Sequence, residues 1–275
     1  MDYSSFASQQ PSKVTLLLTG DVMLGRTVMI KSQSLNDPVY PFRKISEILK
    51  RFDIVFINLE TPVIHDCPRL DTGLVFCASP EMVDGLVHSG VDIVNLANNH
   101  TGNFGNEGLQ ETSEILEKSG ILSTGLGELT VLEKNGILFG FLGFDYVFKP
   151  ANPKHLELVK ASDFKVDVLV VGVHWGDEYK DKVNEFQRTL AKEFVKNGAD
   201  VVVGHHPHWI QDIEIIDGVP VYYSLGNFIF DQMWSEETKK GLTARLTFKG
   251  GDLVQQELLP TYMESWAQPE FKDEK

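Results

Sequence analysis

Short apolar runs rich in β-branched residues alternate with amphipathic stretches over the first part of the chain, and that alternation limits the fold more than any other feature. "VTLLLT" (14–19), "DIVFINLE" (53–60) and "DIVNLANNH" (92–100) read as strands. "YPFRKISEILKRF" (40–52), "SPEMVDGLVHSG" (79–90) and "NEGLQETSEILEKSG" (106–120) carry a helical period. Strands separated by helices in this way pair in parallel through crossovers. From about residue 129 the pattern changes, because "VLEKNGILFGFLGF" sets Asn-Gly between two apolar runs and predicts a hairpin. "VDVLVVGVHWG" (166–176), "NEFQRTLAKEFVKNG" (184–198) and "ADVVVGHHPH" (199–208) restore one strand–helix–strand unit. Two further hairpins are expected around Asp217-Gly218 and Gly250-Gly251. The expectation is an α/β protein with more than one mixed sheet, as a single domain over 14–260. Residues 1–13 and 261–275 then form terminal extensions, with the acidic tail "QPEFKDEK" as a frayed end.

The 275 residues suit one large α/β domain, and 42% hydrophobic with 23% charged residues is the balance of an ordinary globule. A formal net charge of -14 argues against nucleic acid or an anionic membrane surface as the main partner. An anionic substrate would need a local positive centre, which a metal ion can supply. The start "MDYSSFASQQPSK" lacks the apolar core of a signal peptide, and no window approaches the roughly 18 apolar residues of a membrane span. As written, the chain is expected in the cytoplasm. The alternative is an extracytoplasmic or membrane-associated protein whose leader is the stump left by a removed anchor. Cys67 and Cys77 flank a loop-like region in which a disulfide is sterically open, and two cysteines fix neither pairing nor compartment.

Ligands of open α/β sheets collect beyond the carboxyl ends of the strands. Here those ends carry Asp21, Glu60, Asn99 with His100, His174, and the cluster His205, His206 and His208. One such residue alone is more often a cap, a turn former or a satisfied histidine. Five strands ending this way point to a shared site. Oxygen and nitrogen donors without cysteine suit Mn²⁺, Fe or Zn²⁺. His206 and His208 lie two apart, so in an extended segment both rings face one side while His205 faces the other. So many ligands suggest two ions sharing a carboxylate at about 3.5–4 Å, although one ion remains possible on the residues alone. The matching chemistry is hydrolysis of an ester by metal-bound hydroxide, with His100 free to protonate the leaving group.

The blocks "TGDVMLGR", "INLETPV", "VNLANNHTGNFG", "VGVHWGDEY", "GADVVVGHHPHWIQ" and "PVYYSLGNFIFDQ" together resemble the bacterial capsule-synthesis (CapA-type, poly-γ-glutamate capsule) family. That family belongs to the calcineurin-like metallophosphoesterase superfamily, and the resemblance runs from about residue 14 to about 260. It implies a four-layer α/β/β/α sandwich. It also implies Asp21 as the first metal-binding aspartate, Glu60 at the bridging carboxylate, Asn99-His100 as the Asn-His pair, His174 as the lone histidine, and His206 with His208 as the final pair. Three positions depart from the pattern: Met23 stands for a ligating histidine, Glu60 for an aspartate and Asn98 for a glycine. His205 occupies the glycine before the final pair, so the 205/208 register stays open beside 206/208.

Arg26 is a catalytic candidate that could meet an anionic substrate group, the alternative being a surface arginine paired with an acid. Trp175, Glu178 and Tyr179 could line the pocket, Trp175 equally well as core. Asn227 and Asp231 could steady metal-ligating histidines or merely form a turn. Two functions follow from the resemblance. One is a metal-dependent phosphoesterase-like hydrolase acting on an anionic small molecule or polymer. The other is an accessory component of a membrane complex that makes or exports poly-γ-glutamate capsule and binds the anionic polymer. A metal-free binding module on the same fold is a third reading, raised by Met23.

Overall fold

The structure, a computed structural model, describes residues 13–272. The leader before Lys13 lies outside the described residues, as do the last three residues of the tail. Strands β1 (Lys13–Val22), β2 (Ile54–Leu59), β3 (Ile93–Asn95) and β4 (Leu122–Thr124) pair in parallel in that order. The chain then starts a second sheet with β5 (Thr130–Lys134), β6 (Ile137–Asp145), β7 (Val168–His174), β8 (Val201–His205), β9 (Ile213–Ile216) and β10 (Val219–Tyr222). Its order is β5-β6-β7-β8-β10-β9, parallel in the middle with an antiparallel hairpin strand at each edge. Finally β11 (Asn227–Ile229) and β12 (Lys240–Lys249) return to flank β1, and β13 (Asp252–Ser265) and β14 (Gln268–Phe271) complete the first sheet. All three expected hairpins form.

Strand periodicity decides how these sheets stack. Leu16, Leu18, Ile54 and Phe56 of the first sheet meet Val168, Val170, Val201 and Val203 of the second in one cluster between the sheets. The intervening Leu17, Val55 and Ile57 face helices α1 (Arg26–Leu35), α2 (Ser46–Leu49), α3 (Val83–His88) and α4 (Gly105–Lys118). On the far side Leu169, Val171 and Val202 pack on α5 (Pro153–Asp163) and α6 (Glu185–Lys196). The result is the expected α/β/β/α order of layers. Each buried aliphatic or aromatic side chain contributes about 1.5–3 kcal/mol, so a one-residue slip that inverted a strand would forfeit many such contributions at once.

Three expectations need correction. The tail is not frayed at its start, because Gln268–Phe271 pairs with β13 as an edge strand. The expected helix over 40–52 is only a single 3-10 turn at Tyr40–Phe42 followed by the one-turn α2. Its period reported burial rather than backbone, since Phe42, Ile45 and Leu49 all enter the core beneath the first sheet. Helices α1 and α5 were not anticipated, although α5 carries a start signal in Asn152-Pro153, where the Asn152 side chain caps the Lys154 amide at 3.1 Å.

One irregularity of β1 places the site. Leu18 pairs with Phe56 but Asp21 pairs with Asn58, so β1 holds one more residue than β2 between these points. Such a bulge re-aims the side chain that follows it. Strict alternation from Leu16 and Leu18 would turn Asp21 towards the helices, whereas the bulge turns it to the same side as Asn58. Gly20 makes this possible: a Cβ there would lie 2.0 Å from the Gly226 carbonyl oxygen.

Candidate metal centre

The carboxyl ends of β1, β2 and β3 in one sheet meet those of β7 and β8 in the other. Six sequence candidates converge there: Asp21, Glu60, Asn99, His100, His174 and His208, with His206 beside them. Glu60, the first residue past β2, is fully buried, and neither of its carboxylate oxygens has a hydrogen-bond partner. Its Oε1 lies 3.6 Å from His100 Nε2, 3.8 Å from His174 Nε2 and 3.9 Å from His208 Nε2. These separations are too long for hydrogen bonds. A buried carboxylate left unpaired is costly, whereas a cation held between it and the surrounding donors would satisfy it. The donor set therefore fits a divalent ion.

Ligand-type atoms fall into two groups, each within 4.8 Å: Asp21 with Glu60 and His174, and His206 with His208 and Glu178. Asn99 Oδ1 is 2.9 Å from His174 Nε2, which puts it at the first group. Buried amides hold the rest in place. Asn58 donates to Asp21 Oδ1 at 2.8 Å and reaches His174 Nδ1 at 3.4 Å, while Asn95 donates to Asn58 Oδ1 at 3.1 Å. His208 Nδ1 lies 3.0 Å from Asn227 Oδ1 and 3.2 Å from Asp21 Oδ2, which leaves Nε2 facing Glu60. Asn227 thus steadies a candidate ligand as anticipated, and Asp231 does not.

The convergence of His206 and His208 has a different cause from the expected one. β8 stops at His205, and His206 and His208 have φ of 95° and 58°, so the segment is a left-handed turn rather than an extended strand. The turn brings the two rings to 6.0 Å between centroids. His205 ends the strand pointing between the sheets, where Nε2 meets the Thr19 carbonyl at 3.0 Å. Geometry therefore favours 206/208 over 205/208.

Two of the three departures from the pattern, Met23 and Asn98, have local explanations. Met23 is buried in the core beside the helices, its Sδ accepting the Gly25 N–H at 3.1 Å. Asn98 builds the turn that carries His100: its Oδ1 accepts the backbone N–H groups of His100 at 3.1 Å and Thr101 at 3.0 Å.

Charge is distributed unevenly over the cluster. Burial pushes the Glu60 carboxyl well above its usual range, with the His208 charge only partly opposing it. Burial would also lift Asp21, but the hydrogen bond and charge of His208 hold it below. Burial alone would depress His208, yet Glu60 and Asp21 reverse this and hold it up at about 9. Burial takes His206 down to about 3 and His100 down to about 4, and keeps His174 well below the usual imidazole range. The metal-free centre therefore favours a proton on His208 at neutral pH, while His174 and His206 are neutral and ready to ligate and His100 is neutral beside them. A metal ion must displace that proton. Binding of Zn²⁺ at pH 7.5, followed by calorimetry in buffers of different ionisation enthalpy, is expected to release at least one proton per chain. Affinity should rise with pH by up to about tenfold per unit until it levels near pH 9. Affinity that is flat from pH 6.5 to 9 would remove His208 from the ligand set.

A cavity of 320 Å³ opens the cluster to solvent between His100, Glu178, Tyr179, His208, Arg26 and Trp234. Arg26 is at this mouth with three of its five N–H groups engaged: Nε and Nη2 by Asp231, and Nη1 by the Gly73 carbonyl at 2.9 Å. Of the two readings of Arg26, the pairing with an acid is formed, and an anionic substrate group would have to be met by the two N–H groups that these partners leave unused. Glu178 had been weighed only as lining. Its proximity to His206 and His208 arises in a loop, where no periodicity could reveal it. Trp175 is core, its Nε1 donating to the Tyr223 carbonyl at 2.9 Å. A larger cavity of 740 Å³ borders Asn98 and Thr101 on the other side of their loop and touches none of the six candidate ligands.

A family model described as "Bacterial capsule synthesis protein PGA_cap" matches residues 15–232. The chain belongs to this family. Among its relatives, "Capsule biosynthesis protein CapA" of Bacillus anthracis is 33% identical over 264 residues, covering 85% of this chain and 64% of the relative. "PGA biosynthesis protein CapA" of Bacillus subtilis is 30% identical over 257 residues, covering 84% of this chain and 67% of the relative. The chain thus spans about two thirds of these relatives' length. A solved structure from Staphylococcus aureus, of a protein assigned as a 5'-nucleotidase in complex with alpha-ketoglutarate, superposes with a TM-score of 0.51 at 14% identity, covering 92% of this chain and 55% of that one. At that identity the likeness concerns the fold alone.

Proposed function

We propose that this protein is a metal-dependent phosphoesterase-like hydrolase, with Asp21, Glu60, Asn99, His174, His206 and His208 as ligands and His100 as general acid. The observation that carries the reading is Glu60, a fully buried carboxylate without hydrogen bonds, faced by three imidazole nitrogens at 3.6–3.9 Å. Mn²⁺, Fe or Zn²⁺, as one ion or two, suits the donors; when bound, such ions supply Lewis acidity and lower the pKa of water. The protein's own part is orientation and proton transfer. His100 Nδ1 is held at 3.2 Å by Asn103 Oδ1, which leaves Nε2 directed at the centre. Burial keeps the ring neutral in the free protein, and the charge of an arriving anionic ester raises it towards the protonated form that can donate to a leaving group. Glu178, on the rim beside His206 and His208, adds negative charge that favours a cation over a bare anion.

The relatives' names speak of capsule and PGA biosynthesis, and they suit a second reading that we set beside the first: an accessory role in which the same site binds the anionic polymer without cleaving it. Among the described residues no helix is long and apolar enough to cross a membrane. Cys67 and Cys77 are joined as a disulfide, which favours an oxidising, extracytoplasmic compartment over the cytoplasmic expectation. Mn²⁺-loaded protein assayed on p-nitrophenyl phosphate and bis-p-nitrophenyl phosphate, with poly-γ-glutamate binding followed in parallel, separates the readings. Metal-dependent turnover abolished by EDTA is expected for the hydrolase. Polymer binding with no turnover of any phosphoester would replace it by the second reading.

A further inference from the structure

The segment between the two cysteines lies over the mouth of the centre. Among the described residues, no backbone–backbone hydrogen bond ties residues 67–76 to the rest of the protein. What closes the segment is the Cys67–Cys77 disulfide. Its inner side nevertheless makes specific contacts. Phe76, next to Cys77, stacks on His100 with ring centroids 3.8 Å apart and planes 17° from parallel. The Arg26 guanidinium carbon lies 4.4 Å from the same ring centroid. Two planar groups this close cannot share one face, so Phe76 is held between Arg26 and His100. Arg26 is itself anchored on Asp231 and grips the segment a second time through the Gly73 carbonyl. Asn103 Oδ1 accepts both the Phe76 N–H at 2.7 Å and His100 Nδ1 at 3.2 Å, so one acceptor fixes the segment and the imidazole together.

We propose that the disulfide-closed loop 67–77 is a strap that positions His100, acting through the ring of Phe76. The proposal rests on the reading of His100 as general acid. Phe76 touches neither the centre's donors nor a reacting atom; it fixes the plane of the imidazole while Asn103 fixes its edge, and together they aim Nε2 at the centre. The Arg26–Asp231 pair thereby has a purpose other than substrate binding, as the fixed surface against which Phe76 is pressed.

The test compares wild type, Phe76→Leu and the double variant Cys67→Ser/Cys77→Ser, all loaded with Zn²⁺. Histidine ring C–H resonances are followed by NMR, with His100 assigned by the signal missing in His100→Gln. Turnover is measured on phenyl phosphate, whose leaving group needs a proton, and on p-nitrophenyl phosphate, whose leaving group scarcely does. In the wild type the His100 ring signal is expected upfield of an ordinary imidazole because of the stacked Phe76. That displacement should vanish in Phe76→Leu and shrink in the double variant. A misplaced general acid costs about tenfold to a hundredfold, so phenyl phosphate turnover should fall by that much while p-nitrophenyl phosphate changes by less than about threefold. An unshifted His100 signal in wild type, or one unchanged in both variants, overturns the strap. Equal losses on the two substrates would reduce Phe76 to a packing residue and overturn it as well. If no phosphoester is turned over, the hydrolase reading fails, and the resonance alone still decides whether the loop orders His100.

Discussion

Glu60→Gln is expected to abolish the thermal stabilisation that divalent metal gives the wild-type protein, without lowering the unfolding temperature of the metal-free protein. The two halves of this result have one cause. Without metal, burial pushes the Glu60 carboxyl well up towards its neutral form, and glutamine is close in shape to that form. The substitution therefore removes no hydrogen bond from the metal-free state, and the charge it takes from beside His208 is offset by relief of the burial penalty that the carboxylate carries there. With metal, the loss is large. An ion present at about a thousand times its dissociation constant stabilises the folded state by about 4 kcal/mol. At about 2–4 °C per kcal/mol for a domain approaching this size, the wild type should unfold about 10 °C higher with metal than without it. Thermal scans of both proteins with Mn²⁺ and with EDTA provide the check. A variant that keeps the metal-induced shift would show that Glu60 is not a ligand, and a metal-free variant that melts far below wild type would make Glu60 a structural residue.

His100→Gln should leave metal content unchanged and lower turnover of a phosphoester with a poor leaving group by about 10²–10⁴-fold, the usual contribution of a positioned general acid. The ring belongs to neither group of close ligand-type atoms, and its Nδ1 is engaged by Asn103. Glutamine can still reach Asn103 but has no proton to transfer at neutral pH. Metal analysis and steady-state kinetics on the same preparation make the two halves of the prediction inseparable. Loss of metal in this variant would move His100 into the ligand set, and full activity would leave the leaving group protonated by water.

The strand-end residues were legible because a carboxylate or imidazole following a β-branched run stands out against its neighbours, and the chain's hairpins were legible from Asn-Gly, Asp-Gly and Gly-Gly pairs. What decides the geometry was less visible. Nothing local marks the extra residue that turns Asp21 into the site, because Gly20 is required by the approach of a distant carbonyl at Gly226. His206 and His208 do come together, but through a left-handed turn rather than through the strand alternation that was expected to align their rings. Asn58 and Asn95 were missed although a signal existed. Both occupy positions whose alternation with Phe56 and Ile93 points between the sheets, where an amide without a partner would be penalised. Arg26 stood out as a cation in an acidic chain, but its partner Asp231 lies 205 residues away.

The central claim is that the strand ends of the two sheets build a metal centre. Its most direct test is the metal content of the purified protein, measured by inductively coupled plasma mass spectrometry after loading with Mn²⁺ or Zn²⁺ and dialysis, for wild type beside His206→Ala. One or two ions per wild-type chain are expected, with a loss of bound metal in the variant. Wild-type protein that retains no metal under any loading condition would contradict that claim.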